Sequence, residues 1–180
     1  MSPRVIVATA VLVLAVLTGC APRPPHPAPS PTPSPRFTSE ADGYTAAEAT
    51  YRAYVDASNQ VELVSPATFE PVYKLEVGDA LDADKKSLTH MYSEGWTLDG
   101  DTKPGSIVRR SFTPEHEAVV ALDVCMDISG VNLLDKSGHS LVRPERPDLQ
   151  PLTFTFIPDS TSATGLLVSS ISGSSTPCEG

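Results

Sequence analysis

The chain has 180 residues and carries 13 basic against 22 acidic side chains, a net charge of −9. That acidic balance excludes a binder of nucleic-acid backbones, which needs a basic face to meet phosphates. A hydrophobic share of 40 % excludes disorder throughout, too little of the chain is apolar for several membrane spans, and the three cysteines are an odd number that cannot all pair within one chain.

Met1 to Arg4 is short and carries one positive charge, and Val5 to Leu17 is a run of thirteen residues that is apolar apart from Thr9. That length suits the hydrophobic region of a signal peptide, whereas a spanning helix needs about twenty apolar residues. No Arg-Arg pair precedes the run, so nothing favours twin-arginine export. The run ends at Leu17-Thr18-Gly19-Cys20, which resembles a bacterial lipobox. The resemblance implies that residues 1–19 are a lipoprotein signal peptide, that diacylglycerol is attached to the Cys20 sulfur, and that the lipid bilayer is a partner through it. The small residues Thr18 and Gly19 suit an extended backbone entering a peptidase. The competing reading is an ordinary cleaved signal peptide with an incidental cysteine. A single acyl chain holds a protein marginally and two hold it stably, so a diacylglyceryl group anchors the chain at the outer face of the cell membrane without a spanning helix.

Residues 20–40 read as the lipidated cysteine and a disordered tether. Eight prolines occupy the sixteen positions 21–36. Proline fixes φ and lacks an N–H, so extended polyproline II is expected, a spacer of roughly 50 Å at about 3.1 Å per residue. A docking peptide for a proline-recognising partner is the alternative. Ser30, Thr32 and Ser34 among the prolines are candidate sugar acceptors. The first 36 residues hold three arginines and no acid, which leaves ten basic residues against 22 acids beyond them, a net −12.

Residues 41–180 read as one α+β domain. Thr45-Ala46-Ala47-Glu48 has the form of a capping box, and Ala47, Tyr51, Tyr54, Val55 and Ser58 recur on one face, which predicts a helix over 46–62. Ser65-Pro66 starts a second turn that Pro71 limits, so Phe69, Val72 and Tyr73 pack from a short, irregular segment. Asp79 and Asp82 open a further helix with a Leu81, Leu88, Met91 and Tyr92 stripe, and Gly95 caps it. After Trp96 the period becomes two. Val108, Arg110 and Phe112 alternate with Ile107, Arg109 and Ser111. From 119 to 128, Val120, Leu122, Val124, Met126 and Ile128 alternate with Val119, Ala121, Asp123, Cys125 and Asp127. Val131–Leu134 and His139–Val142 flank Asp135-Lys136-Ser137-Gly138, which predicts a hairpin. Leu152–Ile157 and Leu166–Ser172 supply two more strands. Helices followed by antiparallel strands give an α+β fold, N-terminal helices packed on a curved sheet.

This order, with the kinked Phe69-Glu70-Pro71-Val72-Tyr73 segment and the helix ending at Gly95-Trp96, resembles the nuclear-transport-factor-2-like cone fold over residues 45–178. More narrowly, it resembles small actinobacterial lipoproteins carrying that domain. They have a lipobox, a Pro/Ser/Thr tether, a strand cysteine near an aspartate (Cys125-Met126-Asp127) and a second cysteine near the C-terminus (Cys178). The resemblance and an oxidising destination imply a Cys125–Cys178 disulfide. Two reduced structural thiols are the alternative. No Cys-x-x-Cys supports a redox role.

Catalytic signals are sparse. His26, His90, His116 and His139 have no second ligand at metal spacing, and Glu115-His116-Glu117 reads as a solvated strand entry. Asp99-Gly100-Asp101 starts like a calcium loop, but Lys103 and Pro104 occupy later positions that need an acceptor and glycine. Gly-x-Ser-x-Gly and Ser-x-x-Lys are absent. Tyr54, His90, Tyr92 and Trp96 are candidate pocket residues by analogy with cone-fold isomerases, and no catalytic, cofactor-binding or metal residue is assigned. The reading is a membrane-anchored, non-enzymatic binding or accessory module of the bacterial cell envelope, its partner an envelope protein or a small apolar ligand. A SnoaL-like isomerase or hydrolase is the rival.

Overall fold

The computed structural model describes residue 37 and residues 39–114 and 119–178. The expected signal peptide, Cys20, His26, most of the expected tether and the Glu115-His116-Glu117 motif lie outside the described residues. Helices α1 (Glu40–Ser58), α2 (Glu70–Tyr73) and α3 (Gly78–Glu94) precede strands β1 (Thr97–Asp99), β2 (Lys103–Thr113), β3 (Val119–Asp127), β4 (Asn132–Leu134), β5 (Leu149–Pro158) and β6 (Leu166–Gly173). The fold is α+β: helices pack on one face of a curved, cone-like antiparallel sheet ordered β2-β3-β5-β6.

Helix α1 starts six residues before the expected position. Ser39 is its N-cap: the Oγ accepts from the Asp42 N–H at 3.1 Å and donates to the Asp42 carboxylate at 2.8 Å. Thr45 lies inside the helix and donates to the Ala41 carbonyl at 2.9 Å, so it caps nothing. A hydroxyl and a carboxylate three apart recur at both places, and the earlier pair captures the free first-turn N–H groups. The helix stops at Ser58, short of residue 62. The expected face is buried at Ala47, Tyr51, Tyr54 and Val55. A 3-10 turn (Pro66–Phe69) leads into α2, where Pro71 sits in the first turn and initiates rather than ends a helix. Helix α3 buries Ala80 and Leu88, leaves Leu81 and Met91 half-buried, and exposes Tyr92, so the predicted stripe is rotated at its end. Gly95 caps it with φ 68°, a left-handed conformation that favours glycine.

The β3 alternation is as expected: Val120, Leu122, Val124 and Met126 face the helices. β2 differs from expectation. Its pairing with β3 slips between Pro104 and Ile107 and again between Arg109 and Ser111. The second irregularity resets the period, so Ile107 and Phe112 both pack against the core while Val108 is exposed. The predicted 131–142 hairpin is reduced to its turn and a single Leu134–Ser140 bridge, and β4 pairs instead with β1, a strand that the sequence did not signal.

The main core joins Tyr51, Tyr54 and Val55 of α1 to Leu122, Phe154, Phe156, Leu166 and Val168 of the sheet. Phe154 is its hub, with Tyr51 and Tyr54 edge-on at 5.1 and 5.5 Å and Phe156 stacked at 6.2 Å. A second cluster centres on Leu63, Phe69 and Leu88, with Met91, Trp96 and Leu133 against it.

Candidate functional site

Cys125 and Cys178 are joined, with Cα atoms 5.7 Å apart and a sequence separation of 53. After β6, the chain turns back over the outer face of the sheet, away from the helices. The Ser174 N–H donates to the Pro151 carbonyl of β5 at 3.0 Å, Thr176 reaches Asp123 of β3, and Cys178 closes onto Cys125. Residues 174–178 thus form a strap across β5 to β3.

Beneath the strap lies Asp123, only 7 % exposed although it points to the outer face. Arg110 Nη1 lies 3.0 Å from both of its carboxylate oxygens, and the Thr153 and Thr176 hydroxyls donate at 2.6 and 3.0 Å. Burial pushes this carboxyl up, but hydrogen bonds from Thr153, Thr176, Arg110 and Ser174 outweigh it and hold the group below its ordinary value. Strands β2, β3 and β5 and the strap therefore converge on one carboxylate. A half-open groove of about 460 Å³ runs beside it, lined by Ser106, Val108, Asp123, Cys125, Thr176 and Pro177.

On the other face of the sheet, the side chains of α1 occupy the concavity. Tyr51, Phe154, Phe156, Leu122 and Leu166 are fully buried there. At its margin stands an arrangement that sequence reasoning missed. The Tyr54 hydroxyl donates to Asp84 Oδ2 at 2.8 Å, and Asp84 neighbours Glu76, which is 4 % exposed. Neither Glu76 oxygen has a hydrogen-bond donor. Burial first, and then the neighbouring Asp84, push Glu76 up to about 9. Tyr54 is raised well above its ordinary value, again by burial first and then by Asp84 and Glu76. Glu76 follows Leu75 and precedes Val77, and neither neighbour announces a buried acid.

The four aromatic and histidine candidates do not form one pocket. Tyr54 is in the main core, His90 meets Trp96 edge-on at 5.4 Å beside the second cluster, and Tyr92 is 47 % exposed. His139 lies 3.7 Å from Asp135 in an exposed turn. Among the described residues, no three His, Cys, Asp or Glu side chains gather as a metal would require, and no helix is long and apolar enough to cross a membrane.

No family model and no curated protein matches the chain. Solved structures with a similar backbone include the intermembrane-space region of the chloroplast protein ARC6, at 14 % identity and a TM-score of 0.48, covering 72 % of this chain and 94 % of that one. A periplasmic fragment of TraM has 10 % identity and a TM-score of 0.47 over 75 % and 96 % of the two chains. The VirB8 protein of Agrobacterium tumefaciens has 10 % identity and a TM-score of 0.42 over 80 % and 100 %.

Proposed function

We propose that the chain is an exported lipoprotein of the actinobacterial kind, held at the outer face of the cell membrane by Cys20, whose domain is a non-enzymatic binding or accessory module of the envelope. The observation that carries this reading is the division of the cysteines. Cys125 and Cys178 close the strap, which suits an oxidising compartment, and Cys20 is left for lipid at the end of an export-like apolar run. The packing of Tyr51, Tyr54, Phe154 and Phe156 into the concavity supports a scaffold over a substrate chamber. An envelope protein is the partner this reading favours, and a small apolar ligand is the other.

Metabolic labelling with a fatty-acid probe in the native host tests the anchor. The parent chain takes the label and enters the membrane fraction, and Cys20→Ala takes none. Equal labelling of the two refutes lipidation. Crosslinking in intact cells followed by pull-down then tests the partner where the protein resides.

A SnoaL-like isomerase or hydrolase is the second reading. The observation that favours it is Glu76, a buried acid beside Asp84 and Tyr54. Turnover of a small carbonyl or ester substrate that vanishes in Glu76→Gln supports it.

A further inference from the structure

We propose that Glu76 and Asp84 form a proton-binding site, and that the bound proton latches α3 to the sheet edge and to α1. The backbone fixes Glu76 in place. Residues 75–77 run parallel to β6, with the Val168 N–H donating to the Leu75 carbonyl and the Val77 N–H donating to the Val168 carbonyl, both at 2.9 Å. The Glu76 side chain is thereby held inside, 4 % exposed, within electrostatic reach of Tyr54 on α1 and Asp84 on α3.

The groups facing it come from three helices. α3 contributes Asp84, and α1 contributes Tyr54, whose one hydroxyl proton is given to Asp84. α2 contributes Tyr73, which feels both carboxyls, and the Lys85 ammonium stands 5.6 Å from the Tyr73 ring centroid. β6 contributes backbone and the apolar Val168. No donor reaches either Glu76 oxygen. Two neighbouring carboxyls without a donor repel when both are ionised, and one proton between them turns repulsion into an O–H···O hydrogen bond. When that proton leaves to water or a buffer base, nothing in the site replaces it, and α3 is pushed from the 75–77 segment.

The sign follows from linkage. The unfolded chain releases the Glu76 proton near the ordinary 4.5, and the folded chain near about 9. Between those values the folded state holds one proton more. This group therefore raises the unfolding equilibrium constant about tenfold per pH unit, and stability falls as pH rises.

The test is urea unfolding of the purified full chain from about pH 6 to about pH 9, beside Glu76→Gln and Asp84→Asn, whose amides supply the missing donor. The ratio of the parent's unfolding constant to that of Glu76→Gln is expected to grow about tenfold per pH unit, and the ratio to Asp84→Asn by less, because burial still acts on Glu76 there. A ratio to Glu76→Gln that is independent of pH overturns the proposal. Carbon-13 NMR of the parent's side-chain carboxyls needs no variant. One carboxyl titrating above about pH 7 supports the site, and titration of all of them below that value overturns it. Hydrogen exchange locates the latch: α3 amides, corrected for intrinsic rates, open with rising pH ahead of β3, and equal opening of the two elements refutes it.

Discussion

Asp123 joins more of the outer face than any other single side chain described above, because β2, β5 and the strap each send it a donor. Replacing it by asparagine leaves Arg110 without a countercharge and turns one of the two acceptor oxygens into an amide donor facing a threonine hydroxyl. Asp123→Asn is expected to cost about 2 kcal/mol in chemical denaturation, below the figure for a fully buried pair because the Arg110 side chain is 44 % exposed. The pH dependence runs opposite to that of Glu76. A carboxyl held below its ordinary value stabilises the fold above about pH 4, and that contribution is lost as pH falls. The Asn variant should therefore lose less stability than the parent between about pH 5 and about pH 2, and parallel acid curves would exclude this role. Asp123 was readable as an outward residue on β3. Its burial was not, because the strap that covers it arrives from residues more than fifty positions away.

At the scale of elements, strands with a buried face were legible, since period two survives wherever one side packs on helices. β3, β5 and β6 sit where the alternation puts them. β2 was misread because a bulge adds a residue without changing composition, and β1 was missed because three residues carry no period. The strap closes a loop that chain entropy values at roughly 4 kcal/mol, so Cys178→Ser should lower stability by about that amount. An unchanged urea midpoint would show that the strap contributes nothing. Gly105 lies beside the first irregularity of β2, where an added Cβ would collide with the Cys125 carbonyl. Gly105→Ala should therefore cost about 2 kcal/mol or more by prising β2 from β3, seen as loss of protection in β2 amides ahead of β5.

For the whole molecule, the fold class was legible from the order of its elements, and the candidate site largely was not. Helices came first and strands second, which leaves few arrangements other than helices laid on a sheet. Glu76 lies at a sheet edge and Asp84 on a helix, and they become neighbours only once α3 has docked. Net charge is also a property of the whole chain. With −12 beyond residue 36, like charges repel across the folded surface. Raising sodium chloride from about 10 mM to about 150 mM shortens the Debye length from about 30 Å to about 8 Å and should raise the thermal midpoint by a few degrees. A midpoint that falls with salt would mean that attractive pairs dominate.

The four-stranded sheet has two margins, and each is guarded differently. On one side, residues 75–77 lie along β6 and occupy part of its backbone. On the other, β2 is twice broken in register and carries Lys103, Pro104, Arg109 and Arg110. Unguarded margins recruit further strands from other molecules, and charge, proline and bulges are the usual defences. The lipid anchor proposed above would confine many copies to two dimensions and multiply their encounters. Under the confinement that the proposed anchor would impose, an irregular cationic margin is the kind of edge that resists fusion of neighbouring sheets.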